Sequence, residues 1–254
     1  RSRVLAFDLE TNGLQMRLRT SQIGQTVIAN YRCSYVVEHD YFTHEQMSKF
    51  HRQCKGKLKG KAVVAQNGKF DNLWLYYMYG LRFPLTFDTM LASHICDENS
   101  PNALKQNARS ILDMDDWDVS VDIKKGIVIP NKSRTTELRQ TLPHISKAYP
   151  KAERNAALDK LIHRETESNK LKRAEYAAWD GYSTIRLYSH FKRELAKDAE
   201  LEQLFYELVM PVAIAYEQVE INGVHIDLEN MAKAETILGR KIKRLTRTLH
   251  RYIG

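Results

Sequence analysis

The chain has no run approaching the roughly 18 consecutive apolar residues that a membrane-spanning helix requires, and this excludes a helical span from its 254 residues. At its start, Arg1-Ser2-Arg3 leads into a short strand-like stretch and not into the apolar segment of a signal peptide. Neither membrane nor secretion is expected. Cysteine is scarce. Cys33, Cys54 and Cys96 are odd in number and unpaired in spacing, which excludes a disulfide framework and points to free thiols in a reducing compartment. His51 and Cys54 look like half of a zinc site, but no second ligand pair follows. Charge does not dominate either. With 28% charged and 43% hydrophobic residues the chain sits in the ordinary globular range, which argues against disorder along most of its length.

What the sequence does have is an excess of cations. Lys and Arg total 39 against 31 Asp and Glu, a formal net charge of +8, and such a balance favours a polyanion whose phosphates release counterions on binding. The length suits about two structural units. The first residue is not Met and the last residues still read as a helix in progress, so the chain is expected to be part of something longer.

Residues 4–10 are rich in strand formers and end at the turn Thr11-Asn12-Gly13, which predicts a first, central strand. Further strand-like text covers 26–30 and 34–37. A short helix is expected over 44–51, followed by a lysine-rich loop over 55–61. Residues 62–66 read as a buried strand, and 70–79 have helical apolar spacing that stops at Gly80, a favourable left-handed cap. Another short strand is expected over 85–87, a helix from about Thr89, and a further helix opening at Ser100-Pro101 with a hydroxyl cap. Alternating strands and helices imply an α/β core. From 113 to 170 the pattern loosens into an acidic run, a basic turn and a polar helical stretch, read as a peripheral insertion. Residues 171–195 form one long helix, a second starts near Asp198, a short strand is expected at 224–226, and a basic helix begins near Leu228. A domain boundary near Ala196 follows.

Alternate residues of a strand face the same side, so Asp8 and Glu10 point together while Phe7 and Leu9 point oppositely. Two adjacent carboxylates repel unless cations sit between them, although such a pair at a strand end is also what a solvated edge looks like. Asp71 follows a strand and opens a helix, near the carboxyl edge of the sheet where α/β ligands bind, yet a helix-starting Asp is commonly a cap. Tyr176 and Asp180 stand four apart on a helix and project from one face. Each signal is weak alone. In this order, on a strand, a strand-helix junction and a helix, they describe one site.

Residues 7–11 (FDLET), 65–71 (AQNGKFD) and 176–180 (YAAWD) resemble the three exonuclease motifs of the DEDD superfamily, tyrosine branch. They are similar in particular to the 3′-5′ proofreading exonuclease domain of family A DNA polymerases, the bacterial DNA polymerase I group and its phage relatives. Residues 87–91 (FDTML) are typical of that group as well, and 217–227 (EQVEINGVHID) resemble the junction where exonuclease hands over to the polymerase thumb. The histidine branch places His five residues before the final Asp; here that position is Glu175.

The resemblance implies a ribonuclease H-like exonuclease core over 1–195, with a mixed β-sheet flanked by helices and the insertion at about 113–170. A helical, truncated start of the thumb follows over 196–254. It implies two divalent cations, Mg2+ or Mn2+, with Asp8 bridging both, Glu10 and Asp180 completing the first and Asp71 holding the second. Hard cations of that kind want oxygen ligands. Tyr176 is expected to orient the attacking water. Thr11 and Leu14 are expected beside the terminal nucleotide, and Gln66 and Asn67 near its sugar and phosphate. Arg240, Lys241, Lys243 and Arg244, on an amphipathic helix, are expected to bind the backbone of a primer-template duplex. The implied activity is removal of 3′-terminal nucleotides from single-stranded DNA, in the cytoplasm of a bacterial or phage-infected cell. Two alternatives remain open, an exoribonuclease of the RNase D kind and a catalytically silent binding module on the same fold.

Overall fold

In the computed structural model, residues 2–12, 14, 16–17, 21–115, 117 and 151–253 are described, with the side chains of 151–170 and 253 outside the description. Among the described residues, five strands form one mixed sheet: β1 (Val4–Thr11), β2 (Ile23–Ala29), β3 (Ser34–Glu38), β4 (Ala62–Ala65) and β5 (Phe87–Asp88), in the order β3-β2-β1-β4-β5. β1, β2 and β3 run antiparallel as a meander, whereas β4 and β5 join β1 in parallel through helical crossovers. A parallel pair cannot be closed by a tight turn, which is why helices intervene there.

The helices are α1 (His44–Leu58), α2 (Gly68–Tyr79), α3 (Thr89–Cys96), α4 (Leu104–Leu112), α5 (Lys151–Leu195), α6 (Ala199–Gln203), α7 (Met210–Asn222) and α8 (Leu228–Ile253). Helix α5 crosses β1, β2, β3 and β4. It lies close because Gly181 has no side chain: a Cβ there would stand 2.7 Å from Val27 Cγ1 and 3.1 Å from Ala29 Cβ. Along α5, Ala177, Ile185, Leu187, Tyr188, Phe191 and Leu195 are buried, largely at the three- and four-residue spacing of a helix face. Helix α1 lies against the other face, where Thr26, adjacent to Val27, bonds His51 through its hydroxyl at 2.9 Å. Phe7, Trp74, Phe83 and Phe87 fill the core around β1 and β4.

Several expectations need correction. Helix α1 opens on a capping box between Thr43 and Gln46 and continues through Lys55 to Leu58, because Leu58 is buried, so the lysine-rich loop is reduced to 59–61. The helix expected at Ser100 begins at Leu104 without a side-chain cap, since the Ser100 hydroxyl donates to the Asp97 carboxylate instead. Residues 224–226 form no strand. Helix α5 extends from Lys151, so the last part of the expected 113–170 insertion is helical backbone; residues 116 and 118–150 of it lie outside the description.

By compactness the chain divides into two units, 1–217 and 218–254. The first unit keeps 199–217 because Phe205 and Met210 are buried in the core and Glu217 is anchored: Asn72 Nδ2 donates to it at 3.0 Å and Arg82 Nη1 at 3.4 Å. Between α6 and α7 the chain makes a π-helical turn (Leu204–Val209) just ahead of Pro211, whose missing N–H breaks the regular ladder. The second unit consists of the end of α7, residues 223–227 and α8. The Asp227 carboxylate caps α8 by accepting from the Asn230 N–H at 3.0 Å. Ile237, Leu238, Ile242, Leu245 and Leu249 of α8 are exposed, as are Arg240, Lys241, Lys243 and Arg244.

Candidate active site

Asp8 and Glu10 lie opposite Val27 and Gln25 in the β1–β2 register, on the face that α5 covers. Helix α5 brings up Asp180 from beside its close-packing glycine. Ligand oxygens of Asp8, Glu10 and Asp180 all lie within 4.8 Å of one another. Spacing on the strand, spacing on the helix and one tight crossing thus converge on a single point.

Asp71 approaches from β4, near enough for its charge to act on Asp8 and for that of Glu10 to act on it. The chain leaves that strand through Asn67, held in the left-handed region at φ 58°, and enters α2 at Gly68, where a Cβ would come within 2.6 Å of Ala65 Cβ. The buried Asp88 carboxylate clamps the turn. It accepts from the N–H groups of Asn67 at 3.0 Å and Gly68 at 2.8 Å, and caps α3 by accepting from Met90 N–H at 2.9 Å. Residues 87–91 therefore work as a brace for the turn that delivers Asp71.

The electrostatics are those of crowded anions. Burial, followed by the charges of Asp71, Glu10 and Asp180, holds the Asp8 carboxyl well above the usual range. Burial and the charge of Asp88 do the same for Asp71; the backbone N–H of Leu9 counters both rises. Glu10 is raised to about 7 by burial and then by Asp180, with Lys105 and Arg173 pulling it down. Carboxylates that raise one another's pKa are stabilised as anions only when cations join them. An all-oxygen donor set of this kind fits hard divalent cations such as Mg2+ or Mn2+.

Tyr176 is half-buried on α5, and its hydroxyl oxygen accepts from Lys105 Nζ at 2.9 Å. Trp117 donates its indole N–H to Asp180 Oδ1 at 2.7 Å. Arg173 is buried and pairs with Glu38 at 3.6 Å; Glu38 also accepts from Gln25, which faces Glu10. Sequence reasoning missed Lys105, Trp117 and Arg173. Arg173 stands three before Tyr176 and seven before Asp180, so its helix face was readable, whereas nothing near Lys105 or Trp117 in the chain announces their contacts.

The expected substrate residues are distributed differently. Thr11 ends β1 beside a register shift, and Leu14 is 82% exposed. The amide of Gln66 bonds within the fold at both ends, donating to Asn102 O at 2.8 Å and accepting from Thr89 Oγ1 at 2.6 Å. The Asn67 side chain makes no capping bond. Arg240, Lys241, Lys243 and Arg244 belong to the second unit and not to the unit that carries the carboxylates.

A mixed sheet flanked by helices thus presents two carboxylates of its central strand to a third from α5, within the field of a fourth, Asp71. The chain belongs to the 3′-5′ exonuclease family of the family A DNA polymerase type, whose model matches residues 1–196. It is 24% identical over 256 residues to the DNA polymerase of Escherichia phage T5. That alignment takes in 98% of this chain, which spans only 27% of the phage polymerase. Among solved structures, Brucella melitensis NrnC bound to pGG is similar with a TM-score of 0.55 and 16% identity, over 88% of this chain and 87% of that one. The same protein with bound Mg2+ gives 0.53 and 16% over the same shares. Likeness at that identity shows the fold alone, a sheet flanked by helices. No described helix is long and apolar enough to cross a membrane.

Proposed function

We propose that this chain removes nucleotides one at a time from the 3′ end of single-stranded DNA, as the proofreading part of a family A DNA polymerase. The observation that carries the reading is the convergence of Asp8, Glu10 and Asp180 within 4.8 Å, with Asp71 coupled to them by charge. Asp8, Glu10 and Asp180 would hold one Mg2+ or Mn2+ ion, and Asp71 with Asp8 would hold a second. Divalent cations, when bound, make hydroxide available near neutral pH and stabilise the departing 3′ oxygen. Tyr176 orients the attacking water through its hydroxyl, and Asp88 keeps Asp71 in place by bracing the turn before it. Thr11 and Leu14 line the terminal nucleotide, with Asn67 and the backbone around Gln66 beside its sugar and phosphate.

Residues 196–254 are the start of the polymerase thumb, and the cations of α8 bind the backbone of the primer-template duplex. The likeness to the phage T5 polymerase supports DNA as substrate and the cytoplasm of a bacterial or phage-infected cell as the setting. A silent binding module would have no use for four carboxylates and a tyrosine in this arrangement. The test is a 5′-labelled single-stranded DNA and its RNA copy, incubated with Mg2+ and with chelator. A ladder of single-nucleotide losses from the DNA, weaker from RNA and absent in chelator, is expected. Equal or faster loss from RNA would move the assignment to an exoribonuclease, because such a site accommodates the 2′-hydroxyl.

A further inference from the structure

Helix α4 carries a cation into the carboxylate site. Lys105 is half-buried, and its Nζ both donates to the Tyr176 hydroxyl oxygen at 2.9 Å and stands 4.2 Å from the centre of that ring. The same Nζ is 5.8 Å from the centre of the Trp117 ring, and Trp117 in turn donates to Asp180. One ammonium is therefore gripped by two aromatic side chains, each of which has its polar end in the site. Cation–π contact of this kind holds a lysine in place as well as a hydrogen bond does.

A lysine ammonium has three donors and no acceptor, while a phenol has one O–H and two lone pairs. Once Lys105 donates to the phenol oxygen, the Tyr176 O–H cannot point at the ammonium. It must be aimed elsewhere, and one lone pair is spent. We propose that Lys105 is a positioning residue that sets the direction of the Tyr176 hydroxyl, so that this group meets the attacking water in one orientation. The inference rests on the exonuclease reading above. Without Lys105 the phenol oxygen loses the donor that occupies one of its lone pairs, and the water loses that part of its guide, while the carboxylates keep their cations. Lys105 also faces Glu10 electrostatically, so its loss alters metal affinity too. Measurement at saturating Mg2+ removes that second effect.

The experiment measures kcat and KM on a short single-stranded DNA at saturating Mg2+, together with melting temperature, for the wild type, K105M, K105R, Y176F and the K105M/Y176F pair. K105M is expected to lower kcat by about tenfold to a hundredfold with KM changed by less than about threefold, the range for losing a partner that orients a reacting group. K105R, which keeps a charged donor, recovers most of that loss. In the Y176F background K105M costs less than about threefold, because the hydroxyl it acts on is already gone. Melting temperatures stay close to the wild type. An unchanged kcat for K105M, or losses that multiply in full in the double variant, would overturn the inference while leaving the exonuclease reading intact. A rise in KM alone would make Lys105 a plain substrate contact and overturn it as well. A wild type that does not cleave would overturn the exonuclease reading and this inference with it.

Discussion

Trp117 donates its indole N–H to Oδ1 of Asp180 at 2.7 Å, from a point in the chain 63 residues away. It stands just after α4, within the stretch that looks peripheral in sequence, and its ring is buried. The bond fixes the orientation of one of the three carboxylates whose oxygens lie within 4.8 Å of one another. Groups bonded to metal ligands typically contribute tenfold to a hundredfold in affinity or activity.

Trp117→Phe keeps the ring and removes the donor. The Mg2+ concentration for half-maximal cleavage is expected to rise by about tenfold, with little change in melting. A metal titration of cleavage identical to the wild type would show that the bond is incidental.

Asp8→Ala tests the crowding of anions directly. The folded Asp8 and Glu10 carboxyls titrate above their unfolded values of about 3.9 and 4.3, that of Glu10 at about 7. For such groups, folding is favoured below the unfolded value and stability is lost as pH rises through the folded one. In chelator at pH 8, Asp8→Ala should therefore melt at or above the wild type, and the advantage should shrink toward pH 5. Mg2+ should stabilise the wild type, by about 2.7 kcal/mol at a hundred times Kd, and leave the variant unmoved. Calorimetry in which the variant melts well below the wild type at pH 8 in chelator would contradict the repulsion.

Gly181→Ala should destabilise by about 1–3 kcal/mol, the usual cost of overpacking. Alanine favours a helix by about 1 kcal/mol over glycine, but here its methyl would meet Val27 Cγ1 at 2.7 Å and Ala29 Cβ at 3.1 Å. Lifting α5 also moves Asp180 away from Asp8, so cleavage should fall in parallel. Urea unfolding with an unchanged midpoint would mean that the helix yields without cost.

Neutralising Arg240, Lys241, Lys243 and Arg244 together should flatten the salt dependence of duplex binding by about one log-log unit for each phosphate that these cations neutralise. Turnover on short single strands should stay within about twofold, because these cations lie in the second compact unit. An unchanged slope reduces α8 to a solvated face.

The placement of the site's side chains is legible where it is written at short range. Asp8 and Glu10 follow the two-residue period of a strand, Tyr176 and Asp180 the four-residue spacing of a helix, and Asp71 a strand-to-helix turn; all three are local signals. Lys105 bonds a residue 71 positions away, and that pairing exists only because α4 packs on α5. The missing strand at 224–226 has the same cause in reverse: its side chains suit a strand, but no strand among the described residues pairs with it. At Ser100 a local bond to Asp97 displaced the expected helix start to Leu104, as side-chain competition with the backbone allows. Division of the chain at Glu217 depends on a buried carboxylate meeting Asn72, 145 residues earlier, which no spacing rule could foresee.

In the proposed mechanism Asp8, Glu10, Asp71 and Asp180 together hold the cations that make this domain a nuclease. It is tested most directly by titrating Mg2+ into the wild type and Asp180→Asn while following both thermal stability and shortening of a 5′-labelled single-stranded DNA. In the wild type both signals should rise over the same range of Mg2+, and in Asp180→Asn cleavage should fall by at least about a hundredfold with the thermal shift reduced. Cleavage by the wild type in excess chelator, or wild-type cleavage by Asp180→Asn, would contradict it.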